Sequence, residues 1–178
     1  MLVRPALVED TAALLDVERA AFGGDDEAAL VEDLLKDPTA TPIINLVAEN
    51  DGLVVGHALF TCAFVRTAHA DVASTCLAPL AVTPSAQRTG IGQALCLAGI
   101  AAAKQLGIGL VFVLGHIEYY PRVGFAPASP LGLMAPYPID PKVADAWMVL
   151  ETEPGLLGKV QGKVICADAL MHPAMWVE

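Results

Sequence analysis

One glycine-containing segment restricts the fold of this chain more than any other feature. The segment PSAQRTGIGQAL, residues 84–95, follows the apolar run CLAPLAV, and Gly90 and Gly92 stand at the start of an alanine-rich stretch. Apolar residues recur after Gly90 at helical spacing, so the glycines mark a passage from a buried strand into a helix. A second buried strand, LVFVL, follows this helix. The order strand, glycine turn, helix, strand predicts a parallel crossover in an α/β domain.

The glycines at this junction have two interpretations. Glycine takes backbone angles that a Cβ forbids and lets a ligand approach the main chain closely. The first N–H groups of a helix have no partner within it and lie at the positive end of its dipole, which suits a phosphate. Arg88 adds a formal charge beside them. The same glycines would also serve a tight turn that binds nothing, and the local chemistry leaves both interpretations open.

The rest of the chain predicts helices and strands on both sides of this junction. A first helix is expected to begin at Asp10 as its N-cap and to stop at residues 23–24, and Asp25 or Asp26 caps a second. Two β-rich runs around residues 51–52 predict a hairpin. Further strands are expected at about residues 72–82, 110–115, 146–151 and 163–167, and the helix after the glycines is expected to end near residue 107.

Length and composition predict one domain without a membrane span. We assign residues 1–178 to a single domain, with a core at about residues 1–126 and C-terminal strands and a Pro-rich loop at about 127–178. The chain is 55% hydrophobic, yet its uncharged stretch at residues 89–103 is shorter than the ~20 residues that a bilayer requires. The N-terminus carries charges where a signal peptide needs an apolar core. We therefore expect a cytoplasmic protein.

Charge and motif content exclude several classes of function. The net charge is −10 and the chain has only ten Lys and Arg residues, which argues against nucleic acid as a partner. The four cysteines are scattered in apolar surroundings, which predicts buried thiols rather than a disulfide or a metal site. The dinucleotide pattern GxGxxG fails at Leu95, and the patterns GxxxxGK[ST], GxSxG and HExxH are absent.

Two motifs in order resemble the GCN5-related N-acetyltransferase (GNAT) family. LAVTPSAQRTGIGQAL resembles the family's Q/R-x-x-G-x-G/A signature, and YPRVGF, residues 120–125, resembles its Y-x-[KR]-x-G-F signature. One helix and one strand separate the two, as in the family. The opening VRPALVEDTAALLDVERAAF and the later VFVLG and AWMVLE are similar to a bacterial branch of predicted N-acetyltransferases. The resemblance covers most of the chain.

The resemblance implies a fold, a cosubstrate and a set of site residues. The fold would be a mixed, mostly antiparallel sheet with a splayed parallel pair, flanked by helices. The cosubstrate would be acetyl-CoA, without a metal, and its pantetheine arm would pair with the backbone of Leu80, Ala81 and Val82. Tyr120 would be the general acid for the leaving thiolate, and the N–H of Leu80 would polarise the thioester carbonyl. The pyrophosphate would bind the backbone of Gln87, Arg88, Thr89, Gly90, Ile91, Gly92 and Gln93.

The general base is not assigned from the sequence. Neither strand beside the glycine helix carries an acid, and the Asn common in the family upstream of the tyrosine is missing. His116 and Glu118 are near Tyr120 in sequence, but we expect His116 to be a cap or surface residue and Glu118 to be solvated. His57 either points into the substrate cleft or is a hydrogen-bonded strand residue, and we favour the second. Tyr119 is expected to be a packing aromatic.

The predicted function is direct transfer of an acetyl group from acetyl-CoA to a primary amine. The alternative is a non-catalytic acyl-CoA-binding or sensor domain, against which Tyr120 weighs. The acceptor is expected to be a small-molecule or protein amine. Its identity would be determined by residues 23–27 and 127–141, which carry no motif. A homodimer is expected from a mean hydropathy of +0.56 and from an apolar end in which Met175, Trp176 and Val177 are expected to be exposed. The alternative is that Trp176 folds back onto its own sheet.

Overall fold

A mixed, mostly antiparallel sheet with helices on both faces forms the centre of the protein, as the sequence predicts. The computed structural model describes residues 1–176. Its three α-helices are α1 (Thr11–Phe22), α2 (Asp26–Lys36) and α3 (Ile91–Gln105). The nine strands of the described residues are β1 (Leu2–Pro5), β2 (Ile44–Asn50), β3 (Leu53–Arg66), β4 (Asp71–Val82), β5 (Leu110–Leu114), β6 (Ala126–Pro127), β7 (Leu133–Met134), β8 (Trp147–Glu151) and β9 (Gly162–Cys166).

The strands lie in the order β1-β2-β3-β4-β5-β8-β6. The predicted hairpin joins β2 and β3, and β3 is long enough to pair with β2 through its first half and with β9 through its second. The β4–β5 pair at the centre of the sheet is parallel, as is the short β7–β9 pair, and the other pairs are antiparallel. The helical crossover from β4 to β5 is α3, which the glycine junction predicts.

The central strands β4 and β5 pair over a short length and then separate. Their register joins only residues 74–76 to residues 110–112. Beyond that point β5 stays with β8, while β4 continues beside β3 to Val82. A bulge lies at the separation, because Leu77 pairs with Phe60 and Leu80 with Ala58, which leaves two residues of β4 opposite one of β3. A bulge bends a strand and increases its twist, so the two strands diverge here.

The sheet buries a separate apolar core against each layer of helices. On one face, α3 places Ile91, Leu95 and Gly99 against Phe60 and its neighbours. On the other, α1 and α2 cover a core that includes Leu14, Leu34 and the stacked rings of Phe112 and Trp147, whose centroids are 5.0 Å apart. Strand residues alternate between the two cores, which is why the central strands are apolar on both faces.

Two predicted helix caps have other partners in the structure. Asp10 precedes α1, but its carboxylate accepts hydrogen bonds from the Arg4 guanidinium and the Leu7 N–H instead of capping the helix. Asp25 precedes α2 and pairs with Arg19 in the same way. Hydrogen bonds from Arg4 and from the Leu7 N–H lower the pKa of Asp10 to about 2. Asp10 and Asp25 thus occupy the N-cap positions, as predicted, but neither side chain caps its helix, because a guanidinium within reach competes for the same carboxylate oxygens.

The C-terminal segment folds back onto its own sheet. Trp176 is buried, its ring packs edge-on against Trp147, and its Nε1 donates to the Leu170 carbonyl at 2.8 Å. The expectation of an exposed Trp176 was therefore wrong, whereas Met175 is exposed and Val177 lies outside the described residues. The homodimer stays a prediction. Three of the four cysteines are buried free thiols, as predicted, whereas Cys62 is a half-buried free thiol. No helix within residues 1–176 is long and apolar enough to cross a membrane.

The close contact between α3 and β3 predicts the effect of one substitution. A Cβ on Gly99 would overlap the ring of Phe60, so Gly99→Val overpacks this core and is expected to lower the free energy of unfolding by about 2 kcal/mol. Ala101→Val is the matched control, because Ala101 is exposed on the same helix. Urea denaturation measures both variants. Equal stability of the two variants would show that Phe60 moves aside without cost.

Candidate functional site

A groove of about 690 Å³ lies on the α3 side of the sheet, where β4 separates from β5. The end of β4, the N-terminus of α3 and the turn after β5 form its walls. Nine of the residues that the sequence predicts for the site line it: Leu80, Val82, Gln87, Arg88, Gly90, Ile91, Gly92, Gln93 and Tyr120. Ala86, His116, Tyr119, Arg122 and Val123 line it as well. Of the predicted residues, Ala81 and Thr89 lie beside this groove in sequence but outside its lining.

The loop that leads into α3 is held in an unusual backbone conformation. Arg88 and Gly90 both have positive φ angles, 61° and 90°, in the left-handed region that an arginine rarely adopts. The Gln87 side chain donates to the Val82 carbonyl at 3.1 Å, and the Thr89 hydroxyl donates to the Ala86 carbonyl at 2.6 Å. These bonds tie the loop to the end of β4. Position 90 requires a glycine because its φ angle lies in the left-handed region.

The first turn of α3 directs unpaired N–H groups toward the groove. Ala94 makes the first backbone bond of the helix, to the Gly90 carbonyl at 3.0 Å. The N–H groups of Ile91, Gly92 and Gln93 precede that bond and have no acceptor within the helix. Together with the helix dipole they form a site of partial positive charge. All three of these residues line the groove.

The edge of β4 presents main-chain groups that β3 does not use along the same groove, one of which, the Val82 carbonyl, accepts from the Gln87 side chain. The Thr83 N–H donates to the Val55 carbonyl at 2.9 Å, which makes Gly56 and Val82 a non-hydrogen-bonded pair. Antiparallel pairs alternate, so Ala81 exchanges its bonds with His57, whereas Leu80 and Val82 turn their N–H and C=O groups away from β3. Because β5 has separated from β4 at this point, these groups face the gap between the strands.

The groove is positive although the protein is acidic. Arg88 and Arg122 line it, together with His116, which is exposed. Within the described residues, no Asp or Glu is part of this lining. In a chain with a net charge of −10, the nearest of these acids in sequence to Tyr120, Glu118, lies beside the groove and not in its lining. Such a surface attracts an anion through its local field rather than through the net charge.

Two tyrosines border the groove, and their burial is the reverse of what the sequence suggests. Tyr120 is buried, and its ring packs against Gly115 and edge-on against Phe125. Tyr119 is half-buried, and its hydroxyl lies over Gly92. Burial raises the pKa of Tyr119 to about 12, so its hydroxyl keeps its proton at neutral pH. Tyr119 packs against the core beneath α3 and edge-on against Tyr120, as expected of a packing aromatic, and it also presents its hydroxyl to the groove.

A buried polar cluster lies on the opposite face of the sheet. His57 Nδ1 is 2.5 Å from Glu18 Oε1, and His57 Nε2 is 2.9 Å from Asn45 Oδ1. His57 is a hydrogen-bonded strand residue, as favoured from the sequence. Glu18 lies on α1, is fully buried, and was missed because its partner is 39 positions away. Burial raises the pKa of Glu18, since the carboxylate loses its hydration.

The other candidate bases are solvent-exposed, and metal chemistry has no support in the described chain. Glu118 is exposed beside the groove, as expected. Among residues 1–176, no group of three or more His, Cys, Asp or Glu side chains could hold a metal ion.

Known proteins resemble this chain in sequence and in fold. A family model described as an acetyltransferase (GNAT) domain matches residues 43–127. The uncharacterized N-acetyltransferase YjhQ of Escherichia coli (strain K12) is 42% identical over 162 residues, which cover 89% of this chain and 88% of that protein. The crystal structure of the E. coli GNAT family N-acetyltransferase YhbS in complex with CoA has a TM-score of 0.85 and 28% identity, covering 96% of this chain and 92% of that one. A Brucella melitensis GNAT family acetyltransferase, in complex with acetyl-CoA, has a TM-score of 0.73 and 27% identity, covering 95% of this chain and 97% of that one.

The divided mixed sheet of this chain thus has the fold of acyltransferases of one family. The chain belongs to the GCN5-related N-acetyltransferase (GNAT) family, as its motifs predict.

The buried Glu18 predicts a pH-dependent stability. Because its pKa is raised in the folded chain, the folded chain binds this proton more tightly, so the stabilisation is complete at low pH and is lost as the pH rises through the raised pKa. Glu18→Gln keeps a donor toward His57 without the charge. The free energy of unfolding of Glu18→Gln is therefore expected to rise relative to the original chain between pH 4 and pH 8. A tenfold difference in proton affinity between the folded and unfolded chains corresponds to about 1.4 kcal/mol.

Urea denaturation at several pH values tests this expectation. The matched control is Glu32→Gln, because Glu32 is an exposed carboxylate paired with Lys36 on α2. Parallel curves for Glu18→Gln and the original chain would contradict the raised pKa of Glu18.

Proposed function

We propose that this protein transfers the acetyl group of acetyl-CoA directly to a primary amine in a ternary complex. The observation that carries the proposal is the groove itself, in which the N-terminus of α3, two arginines and an open strand edge meet. These features match the parts of CoA, which has a diphosphate at one end and an amide-bearing arm at the other. Membership of the GNAT family and the CoA and acetyl-CoA bound in two structural relatives support the same cosubstrate.

The diphosphate would bind at the loop before α3. The N–H groups of residues 91–93 point at the groove, and Arg88 and Arg122 supply formal charge on its two sides. Charge-assisted hydrogen bonds from backbone and guanidinium donors suit phosphate oxygens. Gln87 and Thr89 hold the loop through their own bonds to residues 82 and 86.

The pantetheine arm would extend along β4. Its amides can pair with the main-chain groups of Leu80 and Val82 that face the gap, as an added strand would. Ala81 would contribute by holding β4 to His57 on the other side. In this position the thioester carbonyl accepts a hydrogen bond from the Leu80 N–H, which stabilises the negative charge that develops during attack.

The reaction begins with the acceptor amine in its neutral form. The nitrogen lone pair attacks the carbonyl carbon and forms the N–C bond, and the C–S bond breaks as the sulfur takes its electron pair. The proton lost by nitrogen balances the proton gained by the thiolate. Tyr120 is the proposed donor to that thiolate, and Tyr119, whose hydroxyl also borders the groove, is the second candidate.

Gly92→Val tests the phosphate site. A Cβ at this position would overlap the Tyr119 hydroxyl and force that ring toward the groove. The affinity for acetyl-CoA, measured by calorimetric titration, is expected to fall by roughly tenfold or more, which is about 1.4 kcal/mol or more. Gly24→Val is the matched control, because a Cβ there meets open space at an ordinary φ angle. Unchanged affinity in a folded Gly92→Val protein would refute the assignment.

Tyr120→Phe tests the proton donor. Turnover is expected to fall by roughly 10²- to 10⁴-fold while the affinity for acetyl-CoA stays the same, because the hydroxyl acts only as the thiolate leaves. Tyr119→Phe is the matched variant, with thiol release measured for both. Loss of turnover in Tyr119→Phe alone would move the role to Tyr119. Binding of acetyl-CoA without turnover of any amine in the original chain would favour the sensor function.

A further inference from the structure

Gly92, the second residue of α3, is a glycine that the backbone conformation does not require. Unlike Gly90, it does not have a positive φ angle. A Cβ on Gly92 would lie 3.7 Å from Val82 Cγ2, which is an ordinary contact, but it would overlap the hydroxyl of Tyr119. Alanine would also favour the helix more than glycine does. The missing side chain at position 92 therefore leaves room for the Tyr119 hydroxyl.

The Tyr119 hydroxyl is a hydrogen-bond donor that the protein itself does not use. Tyr119 lies in the turn after β5, and its ring packs edge-on against Tyr120. Within residues 1–176, its hydroxyl has no hydrogen-bond partner. Burial raises the pKa of Tyr119 to about 12, so the proton stays on the oxygen at neutral pH. Tyrosine hydroxyls with a buried ring usually have a partner, so this donor is available to a ligand.

Other donors without protein partners surround this hydroxyl. The N–H groups of residues 91–93 precede the first backbone bond of α3 and lie at the positive end of its dipole. Three of the five arginines of the chain pair with carboxylates, namely Arg4, Arg19 and Arg66. Arg88 and Arg122 line the groove, and neither forms an ion pair within residues 1–176. Donors that the fold leaves unused thus collect where the Tyr119 hydroxyl lies, which favours an anionic ligand there.

We infer that the Tyr119 hydroxyl donates a hydrogen bond to the diphosphate of acetyl-CoA, and that position 92 is a glycine because this hydroxyl occupies the space of a Cβ. The inference rests on the proposed function. It assigns Tyr119 to the binding of the cosubstrate and leaves the protonation of the thiolate to Tyr120. It also changes the role of Gly92, which holds a donor for the diphosphate instead of admitting the diphosphate itself.

The diphosphate fits this hydroxyl better than the pantetheine arm does. The arm would pair along β4, where the main chain of Leu80 and Val82 offers donors and acceptors in alternation. The Tyr119 hydroxyl lies over Gly92 instead, beside the N-terminus of α3, where the neighbouring groups are N–H donors. A hydrogen bond to a phosphate oxygen is charge-assisted and roughly twice as strong as a bond between neutral groups.

Tyr119→Phe tests the hydroxyl, because it removes one oxygen and keeps the ring. We expect the affinity for acetyl-CoA, measured by calorimetric titration, to fall by roughly tenfold or more, which is the effect of one charge-assisted hydrogen bond. The urea midpoint should stay that of the original chain. Tyr137→Phe is the matched control, because the Tyr137 hydroxyl donates to the Met171 carbonyl at 2.9 Å, outside the groove lining. That variant should lose stability and keep its affinity for acetyl-CoA.

A double-mutant cycle tests the role of Gly92. Gly92→Ala in the original chain displaces the hydroxyl and should weaken acetyl-CoA binding by a factor similar to that of Tyr119→Phe. In Tyr119→Phe the ring atom Cζ would lie 3.4 Å from the new Cβ, so Gly92→Ala should cause no further loss there. An equal loss in both backgrounds would show that the Cβ obstructs the cosubstrate directly and would overturn the assignment of Gly92.

Displacement of acetyl-CoA by ADP identifies the group that the hydroxyl contacts. ADP carries a diphosphate without a pantetheine arm. Tyr119→Phe should weaken the competition by ADP by the same factor as it weakens acetyl-CoA. Equal competition by ADP with Tyr119→Phe and with the original chain would place the hydroxyl on the arm and would overturn the inference.

The outcomes separate this inference from the proposed function. Absence of acetyl-CoA binding by the original chain would overturn the proposed function and, with it, the inference. Acetyl-CoA affinity that Tyr119→Phe leaves unchanged would overturn the inference alone. A lower urea midpoint for Tyr119→Phe would show that the hydroxyl stabilises the fold, and this result would overturn the inference as well.

Discussion

The separation of β4 from β5 is the constraint on which the rest of the structure depends. A parallel pair that continued to Val82 would close the sheet and use every main-chain group of β4. Instead the pairing stops at Cys76 and Phe112, and the bulge opposite Leu59 turns β4 away. The groups of Leu80 and Val82 are left without a neighbouring strand. A break in the centre of a sheet costs hydrogen bonds, so a ligand that restores them gains binding free energy.

The position of α3 follows from the same break. Gly90, with its positive φ angle, joins the loop after β4 to the helix, and Gly99 lets the helix lie against the ring of Phe60. The N-terminus of α3 is thereby held at the end of the gap, beside Arg88. Close packing between helix and strand fixes the direction of the first N–H groups. The direction of these N–H groups therefore depends on a contact about two helical turns away.

Local sequence patterns predicted the helices and strands. They did not predict the features that depend on contacts between residues far apart in the chain. The glycine junction, the hairpin and the family motifs follow from neighbouring residues, and they predicted the fold and the strand edge. In the sequence, Glu18 is an ordinary polar residue of a predicted helix. Its burial against His57 depends on the packing of β3 against α1. The side chains of Asp10 and Asp25 do not cap their helices for a related reason, because their carboxylates accept hydrogen bonds from Arg4 and Arg19. The order of burial of Tyr119 and Tyr120 depends on the turn after β5, which has no local signature.

The two faces of the gap differ in the charge of the side chains that line them. On the α3 side, arginines and helix N–H groups surround a groove whose described lining holds no acid. On the other side, the residues beside the gap are Cys76, Leu77, Ala78, Leu114 and Trp176, and none of these side chains carries a charge. The donors that suit an anionic cosubstrate therefore lie together on the α3 side, where the helix N-terminus and two guanidinium groups meet the open edge of β4.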